Sequence, residues 1–208
     1  MRVLTTLTLL TIWLTGIAQS FPTKKKDVWL RVDTLFAKKD NRDIHLASSY
    51  KYIDTEVKYT DSAGKGVILQ NSLPRGGRGF TAFKGNKFER YRVFWTRVIN
   101  QATTPLELTV NFPADSFPAP SPDAYMKVFL PPDTMTQDKE KLLDYGVTGL
   151  KSFYDTVLHT PTMLQRTINP KEEYVFYIVV LRHHQLSISS PRAGFVLKGQ
   201  QLFYRIAP

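Results

Sequence analysis

Residues 88–112, FERYRVFWTRVINQATTPLELTVNF, are the stretch that decides the fold. The first half places Tyr91 and Trp95 on one face of an extended chain and arginines mixed with aromatic residues on the other. A turn containing Pro105 follows, and residues 106–112 then alternate between apolar and polar side chains. A period of two is typical of an antiparallel strand with one face in a core and the other toward water. The stretch therefore predicts two strands joined by a turn.

Further strand candidates lie on both sides of this stretch. They are residues 28–32, 50–59, 67–69, 124–130, 174–181, 194–198 and 201–206. The second and third are separated by the glycine-containing turn 61–66, and the last two by Gly199-Gln200, so each pair is predicted to form a hairpin. The run 174–181 is apolar on both faces, which is typical of a central strand covered on each side or of a strand at an interface.

One short helix is predicted. It would begin at Thr134 or Thr136 and end at Gly146, and a second helical turn could cover residues 150–158. Prolines and glycines separate the strand candidates, and no fixed-period repeat is visible. We therefore expect a mainly all-β fold, an antiparallel sandwich or barrel with extra N-terminal strands.

Two segments resemble immunoglobulin-like modules of exported bacterial envelope proteins. They are RVINQATTPLELTVNF at residues 97–112 and INPKEEYVFYIVV at residues 168–180. The resemblance implies an immunoglobulin-like β-sandwich. It carries over no catalytic or binding residue, and Trp95 lacks the cysteine partners of antibody-type domains.

The first twenty residues have the layout of a secretory signal peptide. Arg2 precedes an apolar stretch from Leu4 to Ile17, and Ala18-Gln19-Ser20 supplies small residues before a cleavage site. The stretch is shorter and richer in threonine than a membrane anchor, and we expect no transmembrane span after cleavage. Residues 21–27 are predicted to be a solvated N-terminus and residues 28–208 one domain, with residues 28–79 as a possible sub-lobe. We expect a periplasmic or secreted bacterial protein.

Composition narrows the chemistry. The chain has no cysteine, which excludes disulfides, thiolate metal sites and thiol nucleophiles. It carries 28 Lys and Arg against 18 Asp and Glu, a formal net charge of +10. Such a charge favours polyanionic partners, although it also serves solubility. For an exported protein, an anionic glycan or another envelope component is a better candidate than nucleic acid, which we do not expect.

Five residues are candidates for ligand binding. Arg75 and Arg78 lie in the glycine-rich loop 73–80, where they could hold an anion or could simply keep a connector soluble. Arg90, Arg92 and Phe94 share one face of the strand at 88–99, mixing cations with an aromatic ring. The alternative for that face is a charged edge strand that resists aggregation.

A second binding surface and several catalytic arrangements are weaker hypotheses. Phe117 in the proline-rich loop 112–122 could be exposed or could pack into the core. Paired carboxylates could serve a hydrolase if they converged, and the candidates are Glu107, Asp115, Asp123 and Asp133. The histidines His45, His159, His183 and His184 have no metal-ligand spacing, and neither a metal nor a cofactor is expected.

The sequence thus favours a non-enzymatic binding module of an anionic envelope component or a protein partner. A structural or assembly subunit of a cell-envelope complex is the second hypothesis, because the strand at 174–181 could lie against another chain. A carboxylate-dependent hydrolase is the third.

Overall fold

The computed structural model describes residues 28–32, 38–39, 49–60, 66–76, 88–118, 125–157, 159–183, 192–198 and 201–207. Several predictions fall outside these ranges. They concern the signal peptide 1–20, the N-terminal segment 21–27, the turns at 61–65 and 199–200, and the candidates Arg78, Asp123, His45 and His184.

Within the described ranges the chain is built mainly from antiparallel strands, so the all-β prediction is confirmed. The elements are β1 (Val28–Val32), β2 (Lys38–Lys39), β3 (Ile53–Thr60), β4 (Gly66–Ser72), β5 (Phe88–Asn100), β6 (Leu106–Phe112), β7 (Phe117–Pro118), β8 (Tyr125–Phe129), two 3₁₀ turns (Gln137–Lys141 and Leu143–Gly146), α1 (Leu150–Val157), β9 (Thr162–Ile168), β10 (Glu173–His183), β11 (Arg192–Lys198) and β12 (Gln201–Ala207). Each strand candidate of the sequence overlaps one of these strands, with differences of up to three residues at the ends.

A seven-stranded sheet forms the middle of the molecule. Its strand order is β2-β3-β4-β5-β10-β8-β7, and every neighbouring pair is antiparallel. Strands β3 and β4 form the predicted hairpin, and the other edge of β4 pairs with β5. The early strands are therefore hydrogen-bonded into the same sheet as the strands that follow them.

The second layer consists of two smaller sheets, β1-β12-β11 and β6-β9. Their apolar sides pack on one face of the large sheet, and we call the residues between them the inner core. Phe112 on β6 lies 5.5 Å from Tyr204 on β12 between ring centroids, and Phe195 on β11 lies 5.8 Å from Phe176 on β10. The first contact joins the two small sheets to each other, and the second joins the β1-β12-β11 sheet to the large sheet.

The opposite face of the large sheet is covered by the 3₁₀ turns, α1 and residues near Tyr50, which together form an outer core. Trp95 on β5 lies 4.9 Å from Tyr50, and Phe129 on β8 lies 5.1 Å from Tyr154 on α1. Residues 175–181 of β10 are all buried and alternate between the two cores. The apolar run at 174–181 is thus a central strand.

The predicted helix over 134–146 is wrong. The segment instead forms the two 3₁₀ turns, and the α-helix lies at Leu150–Val157, where only a further turn was expected. Asp144, Tyr145 and Gly146 have φ of 51°, 55° and 65°, which a right-handed helix cannot include. Tyr145 is fully buried and its hydroxyl donates to Leu73 O at 2.6 Å, so core packing sets this conformation.

Strand β9 was not predicted from the sequence. Its central residues Gln165, Arg166 and Thr167 are polar and exposed, although Arg166 is opposite the buried Leu108 of β6. No helix among the described residues is long and apolar enough to cross a membrane.

Candidate anion-binding face

Three arginines on neighbouring strands come together at one end of the large sheet. Arg90 on β5 is paired directly with Arg182 on β10, and Arg92 lies two residues further along β5 on the same face. We call these three residues the arginine face. Two of them, Arg90 and Arg92, were candidates from the sequence; Arg182 was missed, because its register against Arg90 depends on which strands pair.

Strand alternation places the arginine face at the margin of the inner core. Phe94 follows Arg92 on the same face of β5, and Val180 precedes Arg182 on the same face of β10; both belong to the inner core. The three arginines are partly exposed, whereas Phe94 is 1% exposed. Phe94 thus lies beneath the arginines as part of the core, and its ring has no free surface for a ligand.

The positive charges act on one another. Burial lowers the pKa of the Arg182 guanidinium, and Arg92 and Arg90 lower it further. Burial likewise lowers the pKa of Arg92, with Arg90 as the next cause, while Asp144 and Tyr91 act in the opposite direction. Like charges directly opposite each other on adjacent strands destabilise an antiparallel pair.

Backbone carbonyls hold one member of the arginine face in place. Arg92 Nη1 donates to Tyr91 O at 2.9 Å and to Gly76 O at 3.3 Å. Gly76 has φ of 128°, and a Cβ there would lie 2.8 Å from Tyr91 O, so glycine is what allows the chain to pass this close to β5. Within the described ranges, no carboxylate forms an ion pair with Arg90 or Arg182.

On β8 and β7, the positions that lie level with Arg182 carry apolar side chains. Met126 on β8 is opposite Arg182, and Phe117 on β7 is opposite Met126. Met126 is buried and Phe117 is half-buried against the inner core. Phe117, the candidate of the proline-rich loop, therefore packs on the core from the edge of the sheet.

Arg75 lies on the other side of the sheet. Its backbone bridges Val93, and its guanidinium stacks over the rings of Tyr52 and Tyr145, at 4.0 and 4.8 Å from their centroids. Arg75 Nη1 also donates to Glu140 O at 2.9 Å and to Leu142 O at 2.7 Å. The structure thus separates Arg75 from Arg90 and Arg92 and gives it contacts that hold the 3₁₀ turns on the outer core.

Strand β5 pairs with β10 at Arg90 and Arg92, but β4 pairs with β5 only over residues 96–100, and Arg75 adds a single bridge to Val93. Among the described residues, no strand therefore flanks Arg90 and Arg92 on the side opposite β10. The edge-strand interpretation of these arginines agrees with this pairing and stays a hypothesis.

Two of the carboxylates considered for hydrolysis, Glu107 and Asp133, have separate partners. Glu107 accepts hydrogen bonds from Thr167 Oγ1 at 2.8 and 3.0 Å on the β6-β9 sheet. Asp133 accepts from Lys139 Nζ and from the Thr148 N–H, each at 2.9 Å, beside the 3₁₀ turns. His159 is exposed, and the described residues contain no group of three side chains placed to hold a metal ion.

Guanidinium groups present a fork of N–H donors that matches the oxygens of carboxylates, phosphates and sulfates. Arg90 and Arg182, which have no ion pair among the described residues, can bind an anion without breaking such a pair. Comparison of the chain with family models, with curated proteins and with solved structures found no match.

Proposed function

We propose that this chain is a non-enzymatic binding module that recognises an anionic ligand through the arginine face. The observation that carries the proposal is the direct pairing of Arg90 with Arg182, with Arg92 beside them. Such an arrangement costs stability when the face is empty, because like charges oppose one another in a partly buried place. A bound anion removes that cost, and its binding energy adds to the stability of the folded chain.

The net charge of +10 supports the same proposal at longer range, since it attracts polyanions toward the molecule before contact. An anionic glycan or another anionic envelope component fits this chemistry. The assembly-subunit hypothesis drew on the two apolar faces of β10, and both faces lie against this chain's own layers. That observation no longer favours an assembly role.

Retention on polyanion columns tests the proposal. The purified protein is applied to immobilised dextran sulfate and to immobilised polygalacturonate, and elution is followed with rising salt. Arg182→Met removes one guanidinium of the arginine face. Arg166→Met removes the same charge from an exposed residue of β9, whose guanidinium lies 5.2 Å from the Tyr174 ring centroid, and serves as the control. A charge-assisted hydrogen bond is worth about 1.5–3 kcal/mol, which corresponds to roughly 10–100-fold in affinity.

We expect Arg182→Met to elute at clearly lower salt than the unchanged protein and Arg166→Met to elute close to it. Equal loss in both variants would mean that only net charge matters. No loss in either variant would also contradict a role for the arginine face.

We further propose that the chain is exported and that its two-layer sandwich is an immunoglobulin-like arrangement. The signal-like leader supports export, and the antiparallel strands β5, β6 and β10, which contain the two resembling segments, support the arrangement. The extra strands of the seven-stranded sheet and the helical cover of its outer core would be additions to it. Cell fractionation tests the location, and superposition of an experimental structure on immunoglobulin-like domains tests the arrangement.

A further inference from the structure

We infer that the arginine face is built for one tetrahedral oxyanion, a phosphate or sulfate ester, rather than for a row of carboxylates. The inference rests on the proposed function and adds the class of ligand.

The spacing of the three side chains favours one small ligand. Residues directly opposite on antiparallel strands have Cβ atoms about 4.5–5.5 Å apart, which sets the separation of Arg90 and Arg182. Arg92 is two residues along β5 from Arg90, a displacement of roughly 7 Å. Side chains as long as arginine can converge from such positions on one small group. A polyuronic acid presents one carboxylate per sugar ring, and arginines spread along a strand or a sheet edge would match it better.

The charge and the acceptor oxygens of a phosphate monoester match the charge and the N–H donors of the arginine face. A phosphate monoester carries about −1.5 to −2 charges near neutral pH and presents three strong acceptor oxygens. That charge compensates the charges of both Arg90 and Arg182, whereas a single carboxylate compensates one. Arg90 and Arg182 also have no ion-pair partner among the described residues that a ligand would need to displace.

The arginine face is pre-organised before a ligand binds. The Arg92 guanidinium is held by Tyr91 O and Gly76 O, and the burial of its surroundings strengthens its field. Because β5 and β10 pair at all three arginine positions, the backbone that carries them is fixed before a ligand arrives. A rigid, compact group is what such a site can bind without reorganising.

Calorimetric titration tests the inference. The probes are glycerol phosphate, inorganic sulfate and galacturonate, each titrated at equal ionic strength into the full chain, Arg182→Met and Arg166→Met. We expect glycerol phosphate or sulfate to bind at least 10-fold more tightly than galacturonate. We expect Arg182→Met to lose at least 10-fold of that affinity and Arg166→Met to retain it. Arg90→Met repeats the measurement if Arg182→Met does not fold.

The outcomes separate the inference from the proposed function. Galacturonate binding as tightly as the esters, with loss of both in Arg182→Met, overturns the tetrahedral-ligand inference and leaves an anion-binding face. Loss of no affinity in Arg182→Met or Arg90→Met overturns both. Vesicles of phosphatidylcholine with and without phosphatidic acid identify the source of the ester. If the protein binds the acidic vesicles and glycerol phosphate displaces it, the ligand is a lipid headgroup. If the protein binds the soluble ester but not the vesicles, the ligand is a free or glycan-borne ester.

Discussion

Replacing Asn71 with alanine should destabilise the protein more than its size suggests, because this one amide joins the two layers. Asn71 is 1% exposed on β4. Its Nδ2 donates to Phe195 O at 3.1 Å, and its Oδ1 accepts the Phe195 N–H at 2.8 Å. The amide thus pairs with the backbone of β11 as a neighbouring strand would. Oδ1 also accepts from Thr96 Oγ1 at 3.0 Å, and Nδ2 donates to Thr55 Oγ1 at 3.0 Å.

The magnitude follows from the groups that Asn71→Ala would leave unpaired. Each buried donor or acceptor without a partner costs about 1–3 kcal/mol, and the Phe195 N–H and C=O are two such groups. We therefore expect a loss of about 3 kcal/mol in the free energy of unfolding. For a chain of 208 residues this corresponds to a fall in Tm of roughly 6–12 °C. Thr55→Val is the matched control, because it removes only one bond to the same amide, at an exposed position.

Urea unfolding followed by tryptophan fluorescence measures both variants. A free energy for Asn71→Ala within about 0.5 kcal/mol of the unchanged protein, or equal to that of Thr55→Val, would refute the role of the amide. Gly194→Ala extends the test, since a Cβ at Gly194 would lie 2.5 Å from Asn71 Cγ. Part of its cost should disappear in the Asn71→Ala background, where that atom is gone.

The remaining predictions concern charges and processing. Arg182→Met should raise the free energy of unfolding of the ligand-free protein at low salt by less than about 1 kcal/mol, because it removes a like-charged neighbour; a lower Tm in thermal denaturation would contradict this. Arg75→Met should cost about 2 kcal/mol in urea unfolding through its lost bonds to two carbonyls, yet leave polyanion retention equal to that of another single-charge variant. Burial raises the pKa of Asp133, but hydrogen bonds from Lys139 and Thr148 outweigh it and hold that pKa below its usual value. The ionised carboxylate therefore stabilises the folded chain at neutral pH, and this stabilisation is lost as pH falls below about 4. In urea unfolding at a series of pH values, Asp133→Asn should make the loss of stability below that pH less steep. If the chain is exported as proposed, N-terminal sequencing of the protein recovered outside the cytoplasm should begin near residue 21, and a chain that begins at Met1 would contradict cleavage.

The strands of the large sheet were predictable because their signals are local. The alternation in residues 88–112 and the doubly apolar run at 174–181 each give the type and extent of a strand without reference to the rest of the chain. Strand β9 carries no such signal, because its exposed centre shows neither regular alternation nor an apolar run.

The candidate site was only half predictable, for a physical reason. Arg90 and Arg92 lie in one strand, so their common face follows from alternation. Arg182 joins them through a pairing between segments some ninety residues apart, and sequence patterns do not give that register. For Arg75 the local signal was misleading. Its glycine-rich loop predicted anion binding, but Tyr52 and Tyr145, which come from distant parts of the chain, contact its guanidinium beside the outer core.

The most direct test of the arginine face observes its side chains during binding. Nuclear magnetic resonance of the arginine Nε–Hε groups, with each signal assigned by single substitution, reports which guanidinium groups meet a titrated anion. We predict that glycerol phosphate shifts the signals of Arg90, Arg92 and Arg182 together and with one saturation curve, while those of Arg75 and Arg166 stay in place. Shifts confined to Arg166 or to other exposed arginines, with Arg90 and Arg182 unchanged at saturation, would contradict the account.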